Sequence, residues 1–232
     1  MLLGFDIRRS ESFGVGTYIK NLIRAFARRG AGHEYLLTGD PKAQSGLTDL
    51  PANFRFVSSV KGYNSLDNHL RFQFLLRELS PDLFHIPHRV VPYFMPCPYV
   101  VTVHDLDKII FREAFGSRLR GELRFRVLRR GLGRAERIIT VSQATRRVLT
   151  RLIGIPTDRI YVVNNALDAQ FLLEDSPEIC RTALERYQVD YPFLLYVGNI
   201  QPQKNLPRLV EAFAVVQAEL DQHPRYRDLR LI

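Results

Sequence analysis

The chain has 232 residues, 46% of them hydrophobic and 25% charged, an ordinary globular composition with enough length for one well-buried α/β domain plus part of another. No stretch reaches transmembrane length. The start, Met1-Leu2-Leu3-Gly4-Phe5-Asp6, has neither a basic leader region nor a small-residue cleavage site, so a cytoplasmic location is expected. The formal net charge is +9, and Cys97 and Cys180 stand far apart with no Cys-x-x-Cys or Cys/His spacing, which argues for free thiols and against a zinc site.

Residues 2–7 form a short apolar run, the first expected strand. Ile19, Leu22, Ile23 and Phe26 then recur at helical spacing, and Gly30 and Gly32 close that helix. Strands are expected over 34–38 and 54–58, then a helix over 66–79 that Ser80-Pro81 terminates. Residues 82–86, 99–103 and 137–141 are further apolar, partly β-branched runs. Residues 143–152 read as a helix ended by Gly154 and Pro156, and 160–163 as another strand. Runs hydrophobic on both faces and separated by helices imply an α/β fold with a parallel sheet covered on both sides.

Residues 165–190 are more polar, with a short helix expected near 177–187. From Tyr191 the pattern restarts: a buried strand, a turn at Gly198, a helix carrying Leu206, Leu209, Val210, Phe213 and Val216, and a further strand at 229–232. The expected organisation is an N-terminal domain over 1–172, a linker over 173–190 and the incomplete start of a second domain over 191–232.

The positive charge is concentrated. Arg112, Arg118, Arg120, Arg124, Arg126, Arg129, Arg130, Arg134 and Arg137 are countered only by Glu113, Glu122 and Glu136. Leu119, Leu123 and Val127 recur every fourth residue, which predicts an amphipathic helix with those three beneath an arginine-rich face. That face is either a solvated helix surface or a patch for anionic lipid headgroups or a phosphorylated substrate. Nucleic acid is disfavoured, because no recognised module and little aromatic interleaving accompany the charge.

Four places could carry chemistry. The first strand-to-helix turn, from Asp6 to Tyr18, holds Gly14 and Gly16, which let the backbone approach a ligand closely. Thr17 is placed to cap the helix, whose free amides and dipole favour an anion such as a diphosphate. It is not the dinucleotide fingerprint: the third glycine is absent and the loop before Gly14 is too long. His85 and His88 follow one apolar run, and His104-Asp105 another; two histidines at strand ends shift the balance from structural residues toward a site. His104 could donate to a sugar hydroxyl or a phosphate, and Asp105 could contact an acceptor or cap the next helix. Ser142 lacks a Gly-x-Ser-x-Gly elbow and is expected to cap a helix. Lys204, with Asn205 at a helix start, is a candidate phosphate clamp.

Six stretches in order carry a family resemblance: Gly14-Val15-Gly16, Asp82-Leu83-Phe84-His85, Val101-Thr102-Val103-His104-Asp105-Leu106, Ile138-Ile139-Thr140-Val141-Ser142, Val162-Val163-Asn164-Asn165-Ala166-Leu167-Asp168, and Tyr196-Val197-Gly198 followed by Pro202-Gln203-Lys204-Asn205-Leu206. Together they resemble the retaining GT-B glycosyltransferases of family 4 (glycosyl transferases group 1), and the mannosyltransferase-like branch in particular. The resemblance implies two Rossmann-like domains facing a cleft, with the acceptor in the first and a nucleotide-sugar donor in the second. It implies no metal and no cofactor. By position, Gly14, Gly16 and Lys204 would bind the donor phosphates, His104 would contact the transferred sugar with Asp105 beside it as the second catalytic candidate, and His85 and His88 would lie on the acceptor side.

Two departures stand out. Gln203 replaces the family's usual basic residue, and Asn165-Ala166 occupies the place of a hinge glycine. The Glu-x7-Glu segment that grips the donor in this family is expected farther along the second domain, beyond Ile232. The implied function is transfer of a hexose, mannose foremost, to a glycan or lipid-linked acceptor, with the Arg118–Arg134 helix contacting the anionic inner face of a membrane. The alternative is a truncated, non-catalytic remnant or split half that needs a partner chain. A nicotinamide-dependent oxidoreductase is a distant third, for want of the glycine fingerprint.

Overall fold

The computed structural model describes residues 1–29, 32–44, 46–59, 66–106, 118–172 and 176–232. Gly30, Arg112, Glu113 and the first part of the expected linker lie outside the described residues, as do the side chains of Arg118, Leu119, Arg120, Arg124 and Gln203. The chain divides into two compact units, Met1–Ala166 and Leu167–Ile232.

The first unit is a seven-stranded parallel sheet with helices between its strands. In chain order the elements are β1 (Leu2–Asp6), α1 (Val15–Arg29), β2 (Glu34–Gly39), β3 (Phe54–Ser58), α2 (Leu66–Leu79), β4 (Leu83–Ile86), β5 (Tyr99–Val103), α3 (Arg118–Arg134), β6 (Arg137–Thr140), α4 (Gln143–Val148) and β7 (Ile160–Val162). The strand order is β3-β2-β1-β4-β5-β6-β7, all pairs parallel. Order therefore reverses between β1 and β4, and the carboxyl ends of the strands at that reversal are where ligands gather in open α/β sheets.

Alternation along the strands feeds two cores. Phe5 and Ile7 of the first strand and its turn pack with Ile19 and Ile23 of α1 and with Tyr35 and Leu37 of β2. Phe84, Ile86, Val101, Val103 and Ile138 pack instead with Phe72 and Leu76 of α2, Leu132 of α3 and Ala135 just past its end. This double covering is why the strands read as near-continuous apolar runs.

Two local expectations are corrected. Leu123 of α3 is 64% exposed; the stripe that faces the core is Phe125, Leu128 and Leu132. Both stripes have helical spacing, and close packing of Gly131 against Val91 selects the second: a Cβ on Gly131 would stand 2.8 Å from Val91 Cβ. The helix expected over 143–152 is α4 continued by a π-helical turn, Leu149–Ile153, and it ends as expected at Gly154 in the left-handed conformation. Ser142 caps α4, its hydroxyl accepting from the Thr145 amide at 3.1 Å.

The second unit holds α5 (Pro177–Arg186), β8 (Phe193–Leu194), α6 (Leu206–Glu219) and β9 (Arg230–Leu231), with β8 and β9 parallel: a β-α-β start. The strand expected to be buried after Tyr191 is short and exposed. Among the described residues its one strand neighbour is β9, and α6 contributes no buried residue over it. Asn165 and Ala166, at the expected hinge, do not take a positive φ, so alanine stands there without backbone strain. Cys97 and Cys180 are free. Among the described residues no helix is long and apolar enough to cross a membrane, and no group of three or more His, Cys, Asp or Glu side chains is gathered to hold a metal ion.

Candidate functional site

The carboxyl ends of β1, β4 and β5 bring together Asp6, His85, His88, Thr102 and His104, and the first turns of α1 add Tyr18. The base of the cluster is Asp6, which is fully buried. Arg8 reaches back to it in a fork, Nε to Oδ1 at 3.0 Å and Nη2 to Oδ2 at 2.8 Å, while its guanidinium lies 3.6 Å from the centre of the Phe72 ring. His88 meets the same carboxylate, Nε2 to Oδ2, at 3.2 Å. Burial alone would raise the Asp6 pKa; the Arg8 charge, then the His88 hydrogen bond, overcome it and hold the carboxyl well below the usual carboxylate range.

The Val90 amide donates to His88 Nδ1 at 3.2 Å, so that nitrogen is an acceptor and the ring proton sits on Nε2, aimed at Asp6. Burial lowers the His88 pKa and favours this neutral form. His88, expected on the acceptor side, is thus buried with both ring nitrogens engaged by the protein. His85 is half-buried, with Nε2 2.8 Å from Thr102 Oγ1 and its ring edge-on to Phe5. Burial, aided by the nearby His88 and His104 rings, pushes its pKa down to about 4.

His104 stands one residue past β5, half-buried. Its Nε2 donates to Pro87 O at 3.1 Å, and the Tyr18 ring meets it edge-on with centroids 4.7 Å apart. Tyr18 in turn lies 3.3 Å from Thr102 Oγ1, and the His104 carbonyl accepts from Thr145 Oγ1 at 3.3 Å. The neutral ring, favoured by burial, therefore carries its proton on Nε2 and leaves the Nδ1 lone pair as an acceptor. Asp105 is exposed and paired with Arg89 at 2.7 Å.

The glycine turn differs from expectation in detail. The helix begins at Val15, so Thr17 lies inside it and does not cap it. The amides of Val15 and Gly16 are already spent on Phe13 O and Ser12 O. Gly16 is buried against the preceding loop, where a Cβ would fall 2.1 Å from Ser10 O, whereas Gly14 is exposed, has φ +74° and faces open space. In the second unit, Lys204 is exposed at the end of a short 3-10 turn, two residues before α6. Asn205 follows in the left-handed conformation and makes no side-chain cap, and Pro207 in the first turn brings no amide hydrogen.

Sequence reasoning found the histidines by their place at strand ends. It missed Asp6, Arg8, Tyr18, Thr102 and Thr145 as partners, although Asp6 ends a strand and Tyr18 lies two residues past Gly16.

Comparison with known proteins bears on this arrangement. The sequence profile described as Glycosyltransferase Family 4 matches residues 14–171. The chain belongs to that family. Among curated family relatives in Escherichia coli, an O-antigen chain mannosyltransferase B is 28% identical over 145 residues, covering 62% of this chain and 37% of the relative. A serotype-specific mannosyltransferase, WbdA, is 24% identical over 203 residues, covering 76% of this chain and 24% of the relative. The chain thus spans well under half the length of the curated relatives it matches. Anabaena HepE, solved in complex with UDP-glucose, superposes with a TM-score of 0.67 at 15% identity, covering all of this chain and 68% of that one. A glycosyltransferase from Rickettsia africae gives 0.56 at 14% identity, covering all of this chain and 67% of that one. The fold class is therefore α/β of the GT-B type, as the family 4 resemblance implied.

Proposed function

We propose that this family 4 chain serves transfer of a hexose from a nucleotide-sugar donor to a glycan or lipid-linked acceptor, with retention of configuration. Mannose is the leading sugar, because the curated relatives are named as mannosyltransferases. The carrying observation is the gathering of His104, Thr102 and Tyr18 with the start of α1 at the β1/β4 reversal, on a fold whose solved neighbours include HepE with UDP-glucose.

His104 presents Nδ1 as an acceptor for a sugar hydroxyl, fixed in that tautomer by Pro87 O. Gly14 leaves room beside the start of α1 for the donor diphosphate, and Gly16 shapes that turn. Charge grows on the departing diphosphate as the glycosidic bond breaks, so a fixed cation and unspent helix-start amides lower the barrier. Lys204 and the uncapped start of α6 supply both. Asp105 is assigned to the rim with Arg89, His85 to the layer behind His104, and His88 to holding Asp6. We place the work at an anionic membrane face, met through α3.

Calorimetric titration with GDP-mannose, GDP, UDP-glucose and UDP tests the donor reading. Saturable heat for one nucleotide pair is expected, and no heat with any of the four would remove it.

A second reading is a half that needs a partner chain to complete donor binding. The exposed apolar residues of the second unit favour it: Val197 and Ile200 are open to solvent, and α6 has no fully buried residue. Turnover by the isolated chain would exclude it.

A further inference from the structure

Beside α3 lies an exposed aromatic pair that the reading above leaves unused. Tyr93 and Phe94 follow β4 in a proline-rich stretch, meet edge-on at 4.7 Å, and are 44% and 53% exposed. The guanidinium of Arg130 lies 4.8 Å from the Tyr93 centroid and 6.0 Å from that of Phe94. The placement is built in. Gly131 packs against Val91, and its carbonyl accepts from the Tyr99 hydroxyl at 2.6 Å, so the last turns of α3 are tied to the segment that carries the pair.

Leu123, Arg126 and Arg130 are spaced by three, four and seven residues, so they share one face of α3. Leu123 is therefore an exposed apolar residue among arginines, and Arg129 and Arg134 add exposed charge to the same helix. Among the described residues of α3 only Glu122 is acidic, and it is paired with Arg126.

Apolar and aromatic groups that are tilted outward among arginines suit the boundary between headgroups and acyl chains. The rings enter the boundary layer while the cations meet lipid phosphates. We infer that Tyr93, Phe94 and Leu123, with Arg130 over the two rings and Arg126 on the same helix face, form an interfacial anchor that seats this chain on a bilayer containing anionic phospholipid. The inference rests on the proposed membrane contact of α3 and adds to it a defined apolar insertion point. Charge alone would give binding that salt abolishes; an inserted anchor keeps a salt-resistant part.

The chain has no tryptophan, so Phe94→Trp gives a single reporter at the site. The probes are vesicles of phosphatidylcholine alone and of phosphatidylcholine with about a quarter phosphatidylglycerol. With anionic vesicles the emission is expected to shift to the blue and to be quenched by brominated acyl chains, with a much smaller change on neutral vesicles. Adding Arg126→Glu and Arg130→Glu should weaken partitioning at least about tenfold. Tyr93→Trp provides the same reading from the neighbouring ring if Phe94→Trp folds poorly.

Binding to anionic vesicles with an unshifted, unquenched tryptophan would overturn the anchor and leave the membrane role of α3 standing. No binding to anionic vesicles would overturn both. Displacement from vesicles by a single-stranded oligonucleotide that itself quenches the tryptophan would assign the surface to nucleic acid and also overturn the anchor.

Discussion

The two units each contain a three-membered cluster of ionisable side chains, and the clusters differ in nearly every respect. In Met1–Ala166, Asp6 stands between Arg8 and His88, and all three side chains are almost wholly buried. In Leu167–Ile232, Arg181 stands between Glu178 and Glu185 on α5, at 3.9 and 3.7 Å, with all three mostly exposed. The first cluster sits at the carboxyl end of β1 beneath His85 and His104, where two helix-covered cores meet; the second rides on a helix that buries no residue. Similar groupings therefore serve different ends. Around Asp6 they fix the geometry of the strand ends that carry the histidines, and around Arg181 they decorate a surface.

The contrast can be broken most directly at Asp6. Asp6→Ala removes the carboxylate that the buried Arg8 and His88 face, and truncating one side of a buried pair costs about 3–5 kcal/mol. Urea unfolding followed by circular dichroism measures this. A loss below about 1 kcal/mol would mean the cluster behaves as a surface pair does.

Acid offers a second test. Asp6 has a depressed pKa, so its contribution is complete above the ordinary carboxylate value near ~4 and is lost only as pH falls toward its lower folded value. The histidines act earlier. Burial lowers the pKa values of His85, His88 and His104, so between about pH 6.5 and 4 the unfolded chain binds more protons and stability falls as pH drops. Each neutral histidine steepens that slope by up to about 1.4 kcal/mol per pH unit. His85→Gln should flatten the slope in this window; an unchanged profile would show that His85 does not resist protonation.

How much of this was legible in the sequence follows from what each signal needs. The parallel sheet, both chain breaks at Ser80-Pro81 and Gly154, and the histidines at strand ends depend on local pattern, and the structure has them. The Asp6–Arg8–His88 cluster was not legible, because 82 residues separate Asp6 from His88 and only the β1–β4 pairing brings them together. Leu123 was misplaced because α3 has two stripes of helical spacing, and the contact of Gly131 with Val91, a long-range fact, chooses between them. Thr17 was read as a cap because the loop before Gly14 conceals that Val15 already begins the helix.

The glycine turn and the α6 start sharpen the comparison at the level of binding. Gly16→Ala would drive a Cβ into Ser10 O and force the Arg9–Ser10 backbone to move, a strain of about 1–3 kcal/mol seen in thermal unfolding. Gly14→Ala meets no atom and bears only the cost of a positive φ, about 1 kcal/mol. Lys204→Ala should leave unfolding unchanged and weaken nucleoside diphosphate binding about 10–100-fold by calorimetry, the worth of a hydrogen bond to a charged group. Equal affinity in the variant would remove Lys204 from the donor site.

The smallest effect is expected at the exposed cluster. Arg181→Ala abolishes both contacts to Glu178 and Glu185, yet each joins long solvated side chains at 3.7 Å or more. Exposed pairs at helical spacing contribute about 0.3–0.5 kcal/mol each, and less as salt screens them. Substitution should therefore lower stability by less than about 1 kcal/mol at low ionic strength, with the difference vanishing in high salt. A larger, salt-insensitive loss would mean that α5 is covered in solution by something that desolvates Arg181. The two clusters would then differ by partner and not by burial.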